Sequence, residues 1–472
     1  MIKRNVAATA LWLVPHCAYA HGIDERHNLP APLAYFIAGA TAAVAVSFVI
    51  ALLFARAAPR VSRIREMRIG ALPVLRAGAR ALGLLLFVTT LAAGLYGTRD
   101  PVMNLAPTLV WIVWWVGLTV FVGCIGNVWP AIDPWRTLYD LIDFAVRRAG
   151  VRRGATLGLP YPHGLDAWPA AALLLFIGWF EVVYPEGAEP RRIASAMLAW
   201  TAITLAGHVL FGPAAWRRNG DVFSIYFCTL GRFAPFARGT AKTLRLRVPG
   251  RGLLAAEGMT LGRVGFVVAM LAIVLFDGLL SGETWYVLQA QVMRDVPALA
   301  NPRGAIAGAT GLAALWLLLF AAYAIACALA AKLVRGASTL VHMKTFALTL
   351  VPIAIGYAVA HNASHLVAQG QHAIALVSDP LGRQWNLFGT AGYRAAAVMG
   401  PKSTWYVAVS AIVIGHAISI WLAHRVALRE FGAARLAALA CVPLTVVMLV
   451  YTATSLAIIA EPMVRFEPVR LE

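Results

Sequence analysis

Apolar runs of about 20 residues recur along this chain with short polar breaks between them. That spacing suits helices crossing a bilayer, not the one-sided faces of a soluble domain. Ten such spans can be read, at roughly 33–55, 80–97, 108–126, 167–184, 193–212, 264–281, 305–331, 345–369, 404–423 and 436–460. The pattern predicts an all-α fold, a polytopic transmembrane helical bundle forming one integral membrane domain over 21–472. Residues 1–20 read as a signal peptide: Lys3 and Arg4, an apolar core Val6–Val14, then Ala18-Tyr19-Ala20 as a cleavage site. Pro15 and His16 shorten that core, so an uncleaved anchor is the alternative.

Composition agrees with the pattern. Hydrophobic residues make up 60% of the 472 positions and charged residues 13%, too little charge for a soluble protein of this length. The net charge of +19 would suit nucleic acid, but its distribution argues for a membrane instead. With the mature N-terminus outside, the predicted inner segments 56–68, 136–153, 217–263, 332–344 and 425–435 hold 25 Lys and Arg, the outer segments 11. That bias follows the positive-inside rule and places both termini on the outer side.

The richest basic stretch, a cytoplasmic loop at about 213–263, interleaves aromatics with arginines in SIYFCTLGRFAPF. It reads as an interfacial segment lying on anionic membrane lipid, and no nucleic-acid partner is expected. Trp129, Trp135, Trp179, Tyr184, Trp285, Tyr286, Trp405 and Tyr406 fall at predicted span ends, as in an interfacial aromatic belt. The five cysteines have no pairing or metal-type spacing, and no Walker A loop or dinucleotide-type glycine motif is present.

Chemistry concentrates in Pro352–Gln371. His361 and His365 stand four apart in an apolar stretch, so both imidazoles share one helix face. Ionisable groups at membrane depth usually face a bundle interior or a cavity. In the predicted topology Glu181, Asp277, His361 and His365 fall in the outer half of the membrane, with His416 near the middle of its span. The candidate site is therefore a metal centre with His361, His365, Asp277 and His416 as ligands of a divalent metal ion, and Asp277 as the catalytic acid–base group. A polar network that only links helices would use the same histidines. A lone histidine such as His208 or His416 is more often a packing residue than a ligand. His21, as a mature N-terminus, could chelate copper or do nothing. The loop 378–390 is either an outer lid or a capped turn.

Several segments resemble those of bacterial polytopic membrane proteins of the fenitrothion hydrolase type. They are HGIDERHNLPAPL (21–33), GNVWPAIDPWRTLYD (126–140), SIYFCTLGRFAPF (224–236), the His361/His365 helix and SDPLGRQWNLFGT (378–390). The resemblance implies a bacterial hydrolase of organophosphorus triesters, lipophilic small-molecule substrates, that releases a nitrophenol; with the charge-based topology, the expected location is the inner membrane with both termini periplasmic. A bound metal would lower the pKa of its water and act as a Lewis acid. A second class of function fits the same residues: a transporter, or a membrane subunit working with a second subunit, that handles a metal ion or small solute.

Overall fold

The computed structural model describes residues 33–54, 64–299, 304–334 and 338–463. The expected signal over 1–20 and the His21 site lie outside them. Among the described residues nine helices are long and apolar enough to cross a membrane. They are α1 (Leu33–Phe54), α2 (Leu72–Tyr96), α3 (Leu105–Cys124), α6 (Pro190–Phe211), α8 (Leu261–Leu280), α10 (Ala305–Val334), α11 (Thr339–Gln369), α12 (Pro401–Phe431) and α13 (Ala434–Met463). Shorter helices are α4 (Pro134–Arg148), α5 (Trp168–Val182), α7 (Val222–Gly231) and α9 (Glu283–Asp295). Proline at the first turn opens α4, α5, α6 and α12, where its missing N–H leaves no carbonyl unpaired.

The fourth of the ten expected spans, 167–184, is α5, and at 15 residues it is short for a crossing. It lies alongside α8 in matched register. Asp166, just before α5, accepts from Gly262 N at 2.8 Å and Thr260 Oγ1 at 2.6 Å, tying the starts of the two helices together. A side chain on Gly178 would strike Ile273, and Glu181 interacts electrostatically with Asp277. The helices thus run parallel, and α5 matches the depth of α8 from 262 to 277.

Helices α8 and α11 form the centre of the bundle. In their apolar windows 78% and 83% of residues are buried, against 17–44% in the other seven long helices. In a bilayer, close backbone approach and dispersion replace the hydrophobic drive between helices. The crossing of α11 and α12 shows this: a Cβ on Gly356 would lie 2.5 Å from Ala411 O, and one on Gly415 2.7 Å from Pro352 O.

The bundle is all-α, as expected, apart from a small sheet that was not expected: β1 (Arg65–Arg68), β2 (Phe236–Arg238) and β3 (Thr243–Leu246) pair antiparallel in the order β1-β3-β2. This sheet joins two basic segments that were expected on one side of the membrane. The expectation for 224–236 is corrected, as it is not a surface segment on lipid: the first part is α7, whose Phe223, Ile225, Phe227 and Leu230 are buried. Phe223 sits among Trp114, Trp129, Trp135 and Trp200, with ring centres 4.7–6.1 Å away. Trp129, Trp135, Trp285 and Trp405 therefore pack the interior instead of forming a belt, whereas Tyr286 and Tyr406 are exposed. Aromatic rings gain more contact from one another here than from headgroups.

Candidate functional site

The two central helices carry the two central polar groups. Asp277 lies near the end of α8, and His361 near the end of α11. His361 Nε2 stands 2.8 Å from Asp277 Oδ2, and the two side chains are 10% and 13% exposed. The pair is thus recessed but reachable.

Local sequence shapes its surroundings. Gly278 follows Asp277, and a Cβ there would lie 2.8 Å from Tyr357 Oη. The glycine leaves room for the phenol beside the carboxylate. Tyr357 is one turn before His361 on the same helix face; its ring stacks on the imidazole with centres 6.5 Å apart. Tyr357 is 1% exposed, and its hydroxyl has no hydrogen-bond partner among the described residues.

On the other side, residues 108–117 of α3 wind as a wide π-type helix. Such segments displace side chains from their usual register and often border functional sites. Here Trp115 comes into side-chain contact with Glu181, which in turn interacts with Asp277. The site therefore holds two carboxylates, an imidazole, a phenol and an indole from four helices.

The expected metal ligands are only partly gathered. Asp277 and His361 meet. His365 lies a turn further on, with its ring centre 6.4 Å from that of His361 and its Nδ1 3.5 Å from Gln369 Nε2. Imidazoles sharing one tetrahedral ion at ordinary bond lengths would hold their ring centres about 5 Å apart. His416 is further off. Gly415 touches Pro352 and Gly356, which places His416 roughly 8–14 Å deeper along the axis than His361. Its Nδ1 faces its own helix at Ile412 O, 2.8 Å away, and its ring packs on Tyr451. Among the described residues no three His, Cys, Asp or Glu side chains converge as a metal site. His361 Nε2 and Asp277 Oδ2 face each other at hydrogen-bond distance.

His208 is a packing residue, buried against the Tyr139 ring. The loop 378–390 is a capped turn: buried Ser378 Oγ accepts from Phe388 N at 2.9 Å, and Asp379 accepts from Arg383 N and Gln384 N. Its Trp385, Leu387 and Phe388 project outward, exposed. Sequence reasoning passed over Tyr357 and Trp115. Tyr357 had a signal, the four-residue spacing Tyr357, His361, His365; the π-type segment that brings Trp115 to Glu181 had none.

Comparison with known protein-family models, curated proteins and solved structures finds no match to this chain.

Proposed function

We propose that this multi-pass membrane protein hydrolyses lipophilic organophosphorus triesters of the fenitrothion type, using the Asp277–His361 pair as its proton-transfer group. The meeting of acid and imidazole from separate helices carries the reading, and the resemblance over 21–33, 126–140, 224–236 and 378–390 supplies the substrate class. Asp277 is the general base: His361 Nε2 stands 2.8 Å from one carboxylate oxygen, and the other takes a proton from water. The water oxygen bonds to phosphorus, the aryl P–O bond breaks, and the nitrophenol leaves as phenolate. The proton then passes from the pair to solvent. Tyr357, beside the pair, is placed to donate to a developing oxyanion.

His361 and Asp277 could each give a divalent metal one ligand, and a metal there would act as a Lewis acid. Two protein ligands fall short of the three that a catalytic site of that kind uses. No step is therefore assigned to a metal.

For location, we propose the bacterial inner membrane with both termini periplasmic. The 25-to-11 basic asymmetry supports this, as does the depth that α5 covers beside α8. The pair would then open toward the periplasm, within reach of triesters dissolved in the outer leaflet.

A second reading, a transporter or membrane subunit for a metal ion or small solute, draws on a different observation. Polar side chains continue inward from the pair: Tyr357, then Tyr451 with its hydroxyl on Leu271 O at 3.1 Å, then His416 against the Tyr451 ring. One experiment separates the two readings. Nitrophenol release from fenitrothion by purified protein in detergent, lost in Asp277→Asn, supports the hydrolase. An inert wild type that moves ions in vesicles supports the second.

A further inference from the structure

The arginine-rich end of the bundle carries a cavity of 480 Å³ that the hydrolase reading does not use. The turn 127–136, the short helix Pro213–Asn219, α7 and the start of α8 enclose it. Arg263 in its wall lies fourteen residues before Asp277 on α8, about 21 Å along the axis. The two sites stand at opposite ends of one helix.

Among the described residues five arginines, Arg136, Arg217, Arg218, Arg232 and Arg263, line this cavity, and no Asp or Glu does. Nearby carboxylates engage only two of them. Asp140 holds Arg136 at 2.8 Å, and buried Asp133 stands 3.7 Å from Arg217. Arg232 donates to Ala255 O and Glu257 O, and Arg263 to Arg218 O, all backbone carbonyls. Among the described residues no carboxylate lies within ion-pair distance of Arg218, Arg232 or Arg263. Three like charges held at one recess repel each other unless an anion joins them.

A neutral donor is present as well. Trp129 lines the same wall, is 1% exposed, and its indole N–H has no partner among the described residues. The floor is apolar, with Met259, Val267 and Leu348.

We propose that this cavity binds the phosphate group of an organic phosphate, with Arg218, Arg232 and Arg263 as its counter-charges. Guanidinium forks match the oxygens of a phosphate. The volume exceeds what a lone phosphate fills and suits a small organic ligand, whose carbon portion meets the apolar floor. The same chemistry belongs to an anionic phospholipid headgroup entering from the bilayer and to a soluble phosphate ester entering from water.

The test is equilibrium binding of phosphatidylglycerol and of glycerol 3-phosphate to the full-length protein in detergent. At least one probe is expected to bind more tightly than about 1 mM. Arg218→Gln and Arg263→Gln should each weaken it about tenfold, the loss of a charge-assisted hydrogen bond. Arg218 is exposed and makes no side-chain hydrogen bond or ion pair among the described residues, so its variant leaves the fold intact. Arg245→Gln, on the sheet beside Glu66, should change nothing. Binding of the lipid alone identifies the bilayer source, and displacement by glycerol 3-phosphate the soluble one. Failure of both probes to bind, or binding unchanged in both arginine variants, overturns the proposal.

Discussion

Asp277 and His361 reach each other across the two most buried helices of the bundle, Nε2 to Oδ2 at 2.8 Å. Either group alone would be an ionisable side chain in apolar surroundings, which is costly. Together they satisfy one another, so removing one leaves the other exposed to that cost. A double-mutant cycle with Asp277→Asn and His361→Gln should therefore show a coupling of about 1–3 kcal/mol in thermal unfolding of the detergent-solubilised protein. Additive losses would mean that the contact holds nothing together.

The same pair gives the activity prediction. Asp277→Asn keeps the shape and removes the proposed base, so turnover of fenitrothion should fall about 10²–10⁴-fold. His416→Phe should leave turnover unchanged, because His416 lies deeper and packs on Tyr451. Equal losses in the two variants would restore His416 to the site and count against the pair acting alone.

Metal removal separates a two-residue site from a metal centre. Among the described residues no third ligand joins Asp277 and His361 as a metal site, so exhaustive chelation should leave nitrophenol release at its initial rate, followed by absorbance. Loss on chelation with recovery on adding one divalent ion would require donors beyond those two.

The membrane architecture was legible because hydrophobic runs of bilayer length admit few other folds. The candidate site was legible in part. His361 and Asp277 stood out as costly groups in apolar runs, and their pairing followed from both lying near the ends of spans that run the same way. His365 and His416 did not join them, because a shared helix face or a shared depth does not fix which neighbour a ring meets. The aromatic belt misled for a related reason: Trp129 and Trp135 sit where a boundary would be, yet Phe223 offers them a closer partner than lipid headgroups do. The sheet was invisible, since REMR and TLRL are too short and too charged to show alternation.

Outside the spans, Asp143 on α4 gives a pH prediction. Its carboxylate takes Arg147 Nε at 2.8 Å and Ala155 N at 2.7 Å, pinning the turn that follows the helix. The Arg147 hydrogen bond first, then the Ala155 bond, hold its pKa below the ordinary carboxylate value. A depressed pKa stabilises the folded turn above the unfolded value, and that contribution is lost as pH falls through the folded one. Amide exchange at 149–156, after correction for intrinsic rate, should therefore rise below about pH 4. Asp143→Asn should remove that rise. A turn equally protected at pH 3 and pH 7 would show that the carboxylate does not pin it.

The crossing of α11 over α12 sets where His361 points. Gly356 and Gly415 let the two backbones touch, and a Cβ at 356 would lie 2.5 Å from Ala411 O. That obstacle is main chain and cannot rotate away, so Gly356→Val must push the helices apart. Overpacking of this kind costs about 1–3 kcal/mol. Because His361 is five residues further along the same rigid helix, the displacement also carries its imidazole away from Asp277. Gly356→Val should thus lower the melting temperature and fenitrothion turnover together. Gly392→Ala, where nothing lies within 4 Å of the added carbon, should alter neither. A Gly356→Val protein that melts earlier yet turns over normally would mean that the pair does not depend on this crossing for its alignment.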